Sequence, residues 1–334
     1  MSECCTSCFS DSELKYRVSI KAIRHGTCPC CGASSPIALC KSLEADFELL
    51  ADAYIESLDG DLLVECLQRD WRIFSDQVTS SELLLDRILP GSLGRRVVPR
   101  ASGIGEPLQS WVTLRDQLTR TNRFFPSPAP DKKLMQELTG LLVLSYGPAD
   151  DVLFRARVRR HEKKFSLKDM GSPPAPVVGP GRANPAGIPY LYLASDVETA
   201  VSEVRPSVAD VVCLAKFRAV DQIKLVDLVD PGSSISPFQV DADSLHRVRG
   251  SMGFLNALGA ELSTPTPPHR VTSDYLATQY LCELIKMLGY HGVKYRSSLG
   301  SGFNIAVFDP HLFRAEGRVF EREVSAIAVS TRKV

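Results

Sequence analysis

Apolar and polar positions divide the chain into two textures. Between residues 41 and 125 apolar residues recur at three-to-four spacing, which predicts helices over Leu43–Leu58 and Asp61–Phe74. Thr79-Ser-Ser-Glu82 reads as a capping box ahead of Leu83–Leu89, and Pro90-Gly91 ends that helix. Another helix is expected after Pro107, through Trp111 and Leu118. Pro126-Ser-Pro-Ala-Pro-Asp131 is a stiff break and the best domain boundary, with a short helix over Lys132–Gly140 behind it.

From about Leu141 the pattern changes to short β-rich runs punctuated by Gly and Pro. Strands are expected over Val152–Val158, Tyr190–Ala194, Val211–Phe217, Lys224–Leu228, Gly292–Tyr295 and Asn304–Phe308. Helices interrupt them at Ser195–Val204, opened by a capping box over Ser195-Asp-Val-Glu198, at Asp243–Leu262, and at Ser273–Leu288 before Gly289. Arg318–Val329 reads as a last strand or a packed arm. Strand runs with segregated helices predict an α+β fold rather than regular βαβ repeats.

Composition narrows the function classes. Lys plus Arg (39) equals Asp plus Glu (39), so no global basic field exists to hold nucleic acid or an anionic membrane. No apolar stretch approaches the ~20 residues of a membrane span, and no leader pattern opens the chain, so the expected compartment is the cytoplasm. Six of the ten cysteines fall within the first 31 residues. The pairs Cys5-x-x-Cys8 and Cys28-x-x-Cys31, separated by 19 residues, suit a tetrahedral zinc ion of structural role. Cys4 and Cys30 leave the ligand choice open by one residue at each pair. The helical stretch lacks the Arg-x4–6-His motif of HEPN-type ribonucleases, which with the neutral charge disfavours a nuclease.

Several polar features cluster in the second half. Arg155 and Arg157 share one face of a strand. Arg182 and Asn184 sit in the loop Gly181-Arg-Ala-Asn-Pro-Ala-Gly187. Tyr192 lies on a short apolar strand, Glu198 and Glu203 on the next helix. Ser297 and Ser298 end a strand before Gly300-Ser-Gly-Phe-Asn304. Singly, each has a bland explanation as a surface ion pair, a turn or a cap. Together they describe a pocket for a phosphate-rich nucleotide: guanidinium forks and loop amides for pyrophosphate, a ring for a base, and a carboxylate for ribose.

The order and wording of these segments resemble the RES domain over roughly residues 151–310. The resemblance implies an ADP-ribosyltransferase-like fold that destroys NAD+. It gives Glu203 the catalytic carboxylate, Arg155 and Arg182 the phosphates or ribose of the cofactor, Tyr192 a place by the nicotinamide, and Ser297, with Ser298 as its neighbour, the completion of the pocket. Arg155 and Tyr192 count with Glu203 as catalytic, and Asn184, Asn304 and Arg157 join Arg182, Ser297 and Ser298 as substrate-binding candidates. Ala183 departs from the pattern, since many members carry an aromatic residue after the loop arginine. The expected organisation is a zinc-binding segment 1–40, a helical, HEPN-like domain 41–126, a RES domain 132–315 and a C-terminal strand or arm 316–334. The expected chemistry is cleavage of NAD+ with release of nicotinamide, using zinc only structurally. The setting the family implies is a toxin restrained by an antitoxin or by the N-terminal half. Two alternatives stand beside it: an ADP-ribosyltransferase acting on a macromolecule, and a non-catalytic nucleotide-binding module. A homo-oligomer remains open.

Overall fold

The computed structural model describes residues 2–100, 107–127, 129–160, 162, 164–265 and 275–327. The chain forms two compact units: residues 1–110 with 231–255, and residues 111–230 with 256–334.

In the first unit, β1 (Glu3–Cys5), α1 (Ser12–Ile20), β2 (Arg24–Thr27) and β3 (Ser34–Leu39) make a three-stranded antiparallel sheet of order β1-β3-β2 with one helix. Next come α2 (Glu44–Ala51), β4 (Tyr54–Leu62), α3 (Leu63–Trp71), α4 (Ser81–Ile88) and β5 (Arg96–Pro99). Helix α3 buries Leu63, Cys66, Leu67 and Trp71, one stripe at helical spacing. Its core includes the rings of Phe9, Phe47, Phe74 and Phe238, with neighbouring centroids 5.7–6.4 Å apart.

The expected all-helical character of 41–126 is corrected here. Helix α2 stops at Ala51, and Tyr54–Leu62 pairs as a strand with β5. Ile55 and Leu58, which suit a helical stripe on paper, are exposed. The pairing rests on non-local contacts with Val97 and Val98 that no local pattern announces. A bulge lies between Glu56 and Asp61, where Gly60 meets the Val97 backbone so closely that a Cβ would sit 2.2 Å from its carbonyl oxygen. Helix α4 is capped by Ser80, which accepts from Leu83 N, rather than by Thr79.

The second unit carries α5 (Pro107–Arg120, from Trp111 onward), α6 (Lys132–Gly140), β6 (Val143–Tyr146), β7 (Leu153–Val158), β8 (Leu191–Ala194), α7 (Val197–Glu203), β9 (Val211–Ala219) and β10 (Ile223–Asp227). After the short helix α8 (Pro231–Ser234), helix α9 (Ala242–Ser263) belongs to this unit from Asn256. Then follow α10 (Leu276–Met287), β11 (Gly292–Arg296), β12 (Phe303–Val307) and β13 (Phe313–Glu323). The expected helix start at Ser273 and the strand end at Val329 lie outside the described residues.

The eight strands run β13-β9-β7-β8-β12-β11-β10-β6, antiparallel except for β10 beside β11. The architecture is therefore mixed helix and strand around a large sheet. Alternation along the strands makes two apolar layers: Leu153, Leu191, Leu193, Ala215, Phe217 and Ile305 on one face, and Ala156, Ala194, Val212 and Leu214 under α7 on the other. Strand β6 was not among the strands expected, and β13 begins five residues before Arg318. Helix α7 is capped by Asp196, which accepts from Thr199 N at 2.7 Å, so the box written on Ser195 moves by one residue.

Candidate active site

Strands β7 and β8 pair through a single register position, Phe154 opposite Ala194. Where they part, a cavity of about 430 Å³ opens. Arg155 spans the gap, donating from Nη1 to the Tyr192 carbonyl at 3.0 Å, so a side chain makes the contact that a backbone N–H makes elsewhere in a sheet. Its Nε is buried with no partner among the described residues. Burial, with the Arg157 charge nearby, holds the guanidinium down to about 10.

Glu203, in the last turn of α7, faces the cavity. Its Oε1 accepts from Ser297 Oγ at 2.6 Å and from Asn304 Nδ2 at 2.7 Å. Its Oε2 has no partner among the described residues. Two donors thus fix the carboxylate and leave one oxygen for whatever enters. Ser297 is itself fixed, accepting from Leu299 N at 3.2 Å and Gly300 N at 2.9 Å. Register explains the convergence: Tyr295 on β11 opposes Asn304 on β12, so the end of one strand and the start of the next deliver Ser297 and Asn304 together.

The 181–187 loop forms one wall. Tyr192 donates its hydroxyl to Asn184 Oδ1 at 2.7 Å and accepts from Ala183 N at 3.0 Å, while burial pushes its phenol up. Gly181 is required by closeness, because a Cβ there would lie 2.2 Å from Asn184 Oδ1 and 2.6 Å from the Tyr192 hydroxyl. Asn184 Nδ2 donates to the carbonyls of Gly179, Pro185 and Ile188 at 2.9–3.1 Å, so its side chain is committed to the loop. Arg182 lines the cavity, donates from Nη1 to Thr264 O at 2.6 Å and stacks over Tyr275, 5.3 Å from the ring centroid.

The structure therefore brings together Arg155, Arg182, Tyr192, Glu203, Ser298 and Asn304 around one cavity, with Ser297 behind Glu203. Asn184 and Arg157 stand apart. Arg157 is outside the cavity wall, donating to Gly171 O at 2.6 Å beneath the Phe165 ring. Sharing a strand face with Arg155 does not carry it there, because its guanidinium is engaged by Gly171 O and the Phe165 ring. Glu198 is exposed on α7 and does not line the cavity.

Further contributors were not among the site residues expected from the sequence. Tyr295 and Tyr275 line the cavity. Thr278 and Gln279 on α10 donate to the carbonyls of Arg182 and Gly181 at 2.5 and 2.8 Å, tying the loop down. Polar residues on the buried face of an amphipathic helix were the available signal for the latter pair.

In the first unit the thiols of Cys5, Cys8, Cys28 and Cys31 lie within 4.8 Å of one another. Neighbouring sulfurs are 3.5–3.8 Å apart, close to the roughly 3.8 Å edge of a tetrahedron with ~2.3 Å metal–sulfur bonds. Gly32 takes φ +73° behind the second pair, where its N–H reaches Cys28 O at 2.9 Å. Cys30 points elsewhere, donating to Glu3 O at 3.3 Å and accepting from Arg87 Nη1 at 3.2 Å. Cys4 lies beside Cys40. The four outer thiols could hold a metal ion, and the ambiguity at each pair resolves to them.

The family model described as RES domain matches residues 152–325. Among solved structures, the chain is similar to a chain in the crystal structure of the M. tuberculosis MbcT–MbcA toxin–antitoxin complex. That likeness has 15% identity and a TM-score of 0.34, and covers 59% of this chain and 96% of the other. No curated protein sequence matches the chain. No helix among the described residues is long and apolar enough to cross a membrane.

Proposed function

Because this chain belongs to the RES domain family, we propose that it is an enzyme that cleaves the bond between nicotinamide and ribose in NAD+, on an ADP-ribosyltransferase-like fold. The observation that carries this reading is the Glu203 carboxylate, held through Oε1 by Ser297 and Asn304 while Oε2 is left to the cavity. Such a carboxylate accepts hydrogen bonds from ribose hydroxyls. It stabilises the positive charge that builds at the anomeric carbon as nicotinamide departs, without moving to do so. Arg155, its charge disfavoured by burial and one nitrogen unpaired, gains from an anion in the cavity, which suits the phosphates of a dinucleotide. Tyr192, fixed by its hydroxyl, offers a ring edge beside the base.

The reaction needs no redox partner. The N-glycosidic bond breaks, its electron pair leaves with nicotinamide, and a nucleophile adds to the ribosyl cation. Water as acceptor gives ADP-ribose and a proton, and phosphate gives ADP-ribose 1″-phosphate. Depletion of NAD+ is toxic, so the family implies a toxin restrained by an antitoxin protein. The four-thiol set in the first unit serves as a structural zinc site, closed to substrate.

The test is incubation of the full-length protein with NAD+ and chromatographic separation of the products, beside Glu203→Gln. Nicotinamide release by the wild type and its loss in the variant is the expected result. A folded, metal-loaded protein that leaves NAD+ intact overturns the reading.

A further inference from the structure

Two arginines of the cavity have already spent donors inside the protein: Arg155 on Tyr192 O, and Arg182 on Thr264 O and the Tyr275 ring. A third arginine has not. Arg205 lines the same cavity, two residues beyond Glu203, and is exposed. Among the described residues its guanidinium makes no hydrogen bond, ion pair or ring contact.

Its backbone is unusual too. Arg205 follows the last residues of α7 with φ +47°, its N–H reaching Ser202 O at 3.1 Å. That left-handed position at a helix end is glycine's by preference, because any Cβ there crowds the following carbonyl. An arginine at this point keeps a strained backbone without a side-chain partner among the described residues. What the position does provide is direction, placing a free cation at the rim of the cavity on the same turn as the carboxylate.

We propose that Arg205 binds phosphate oxygens of the reactants, as a substrate-binding residue whose cost is the strained turn it occupies. The inference rests on the NAD+ reading for the identity of the ligand, but not for its chemistry. That chemistry is a phosphate group, from the dinucleotide's pyrophosphate or from a free phosphate acceptor. A guanidinium fork with all five donors available fits either.

The experiment compares wild type, Arg205→Gly, Arg205→Ala and Arg205→Lys as full-length proteins. Calorimetric titration with inorganic pyrophosphate comes first, followed by steady-state NAD+ cleavage with and without inorganic phosphate, and thermal melting. Arg205→Gly and Arg205→Ala are expected to weaken pyrophosphate binding roughly tenfold to a hundredfold, the range for one charge-assisted contact, with Arg205→Lys recovering part. Arg205→Gly should also melt higher, by roughly 2–4 °C, as the left-handed strain is relieved. A variant that gains stability while losing anion affinity separates ligand binding from a structural role.

If the KM for NAD+ rises by a similar factor while kcat holds, the phosphate is the dinucleotide's. An unchanged KM with loss of the response to phosphate assigns it to the acceptor. Pyrophosphate binding in Arg205→Ala equal to wild type, or none in the wild type, overturns the proposal. Binding that depends on Arg205 in a protein that leaves NAD+ intact would sink the NAD+ reading and leave the anion site standing.

Discussion

Replacing Ser297 by alanine removes one of two hydrogen bonds that hold the Glu203 carboxylate and leaves the other. The lost bond is an O–H···O contact of 2.6 Å to an ionised group, while Asn304 keeps its 2.7 Å contact to the same oxygen. Bonds to charged groups contribute about 1.5–3 kcal/mol, and each 1.36 kcal/mol is tenfold in rate. If orientation of Glu203 matters only at the transition state, kcat should fall roughly tenfold to a hundredfold with KM within a factor of about two. Asn304→Ala should behave alike. The double variant should lose more than the product of the two, because the second removal frees the carboxylate from its last anchor. The assay is nicotinamide release at saturating and limiting NAD+. Ser297 also accepts from Leu299 N and Gly300 N, so a melting curve must accompany it. Ser297→Thr, which keeps the hydroxyl, should restore most of the rate. Singles within twofold of wild type, or a Ser297→Ala variant as dead as Glu203→Gln, would refute the idea of a shared clamp.

Three further outcomes are expected. Tyr192→Phe strands the Asn184 oxygen and the Ala183 N–H, each worth about 1–3 kcal/mol when left unpaired, so the melting temperature should drop and the KM for NAD+ rise; unchanged melting would show the loop stands without that hydroxyl. Chelation with a strong zinc ligand, or Cys31→Ser, should unfold the first unit with release of about one zinc per chain, read by metal analysis and circular dichroism; a metal-free protein of equal stability would remove zinc from the account. Burial alone would push the Asp196 carboxyl up, but hydrogen bonds from Ser195 and Thr199 outweigh it and hold it below its ordinary 3.8. Its cap therefore supports the fold above pH 3.8 and is lost as pH falls through the lower folded value. Asp196→Asn, which keeps the acceptor without titrating, should show a shallower loss of stability below about pH 4; identical acid profiles would count against the cap.

Much of the second unit was legible in the sequence because alternation and turn residues are local signals. Strands β7, β8, β9, β10, β11 and β12 fall within one or two residues of the runs that predicted them. The cysteine spacing named the four thiols that come together, and the wording from Arg155 to Asn304 named the family. Where local signals compete, spacing misleads: Leu43–Leu58 keeps helical spacing, and only pairing with β5 makes Tyr54–Leu62 a strand. Tertiary structure alone decided how the candidate site is arranged. The parting of β7 from β8 beyond one bridge makes the cavity. The register of β11 against β12 brings Asn304 to Glu203 Oε1 as well as to the cavity wall, and the folding of the loop onto Tyr192 commits the Asn184 side chain to the loop. Each of these depends on residues distant in sequence, whose meeting is fixed by which strands pair and where they stop pairing, and no spacing along the chain records that.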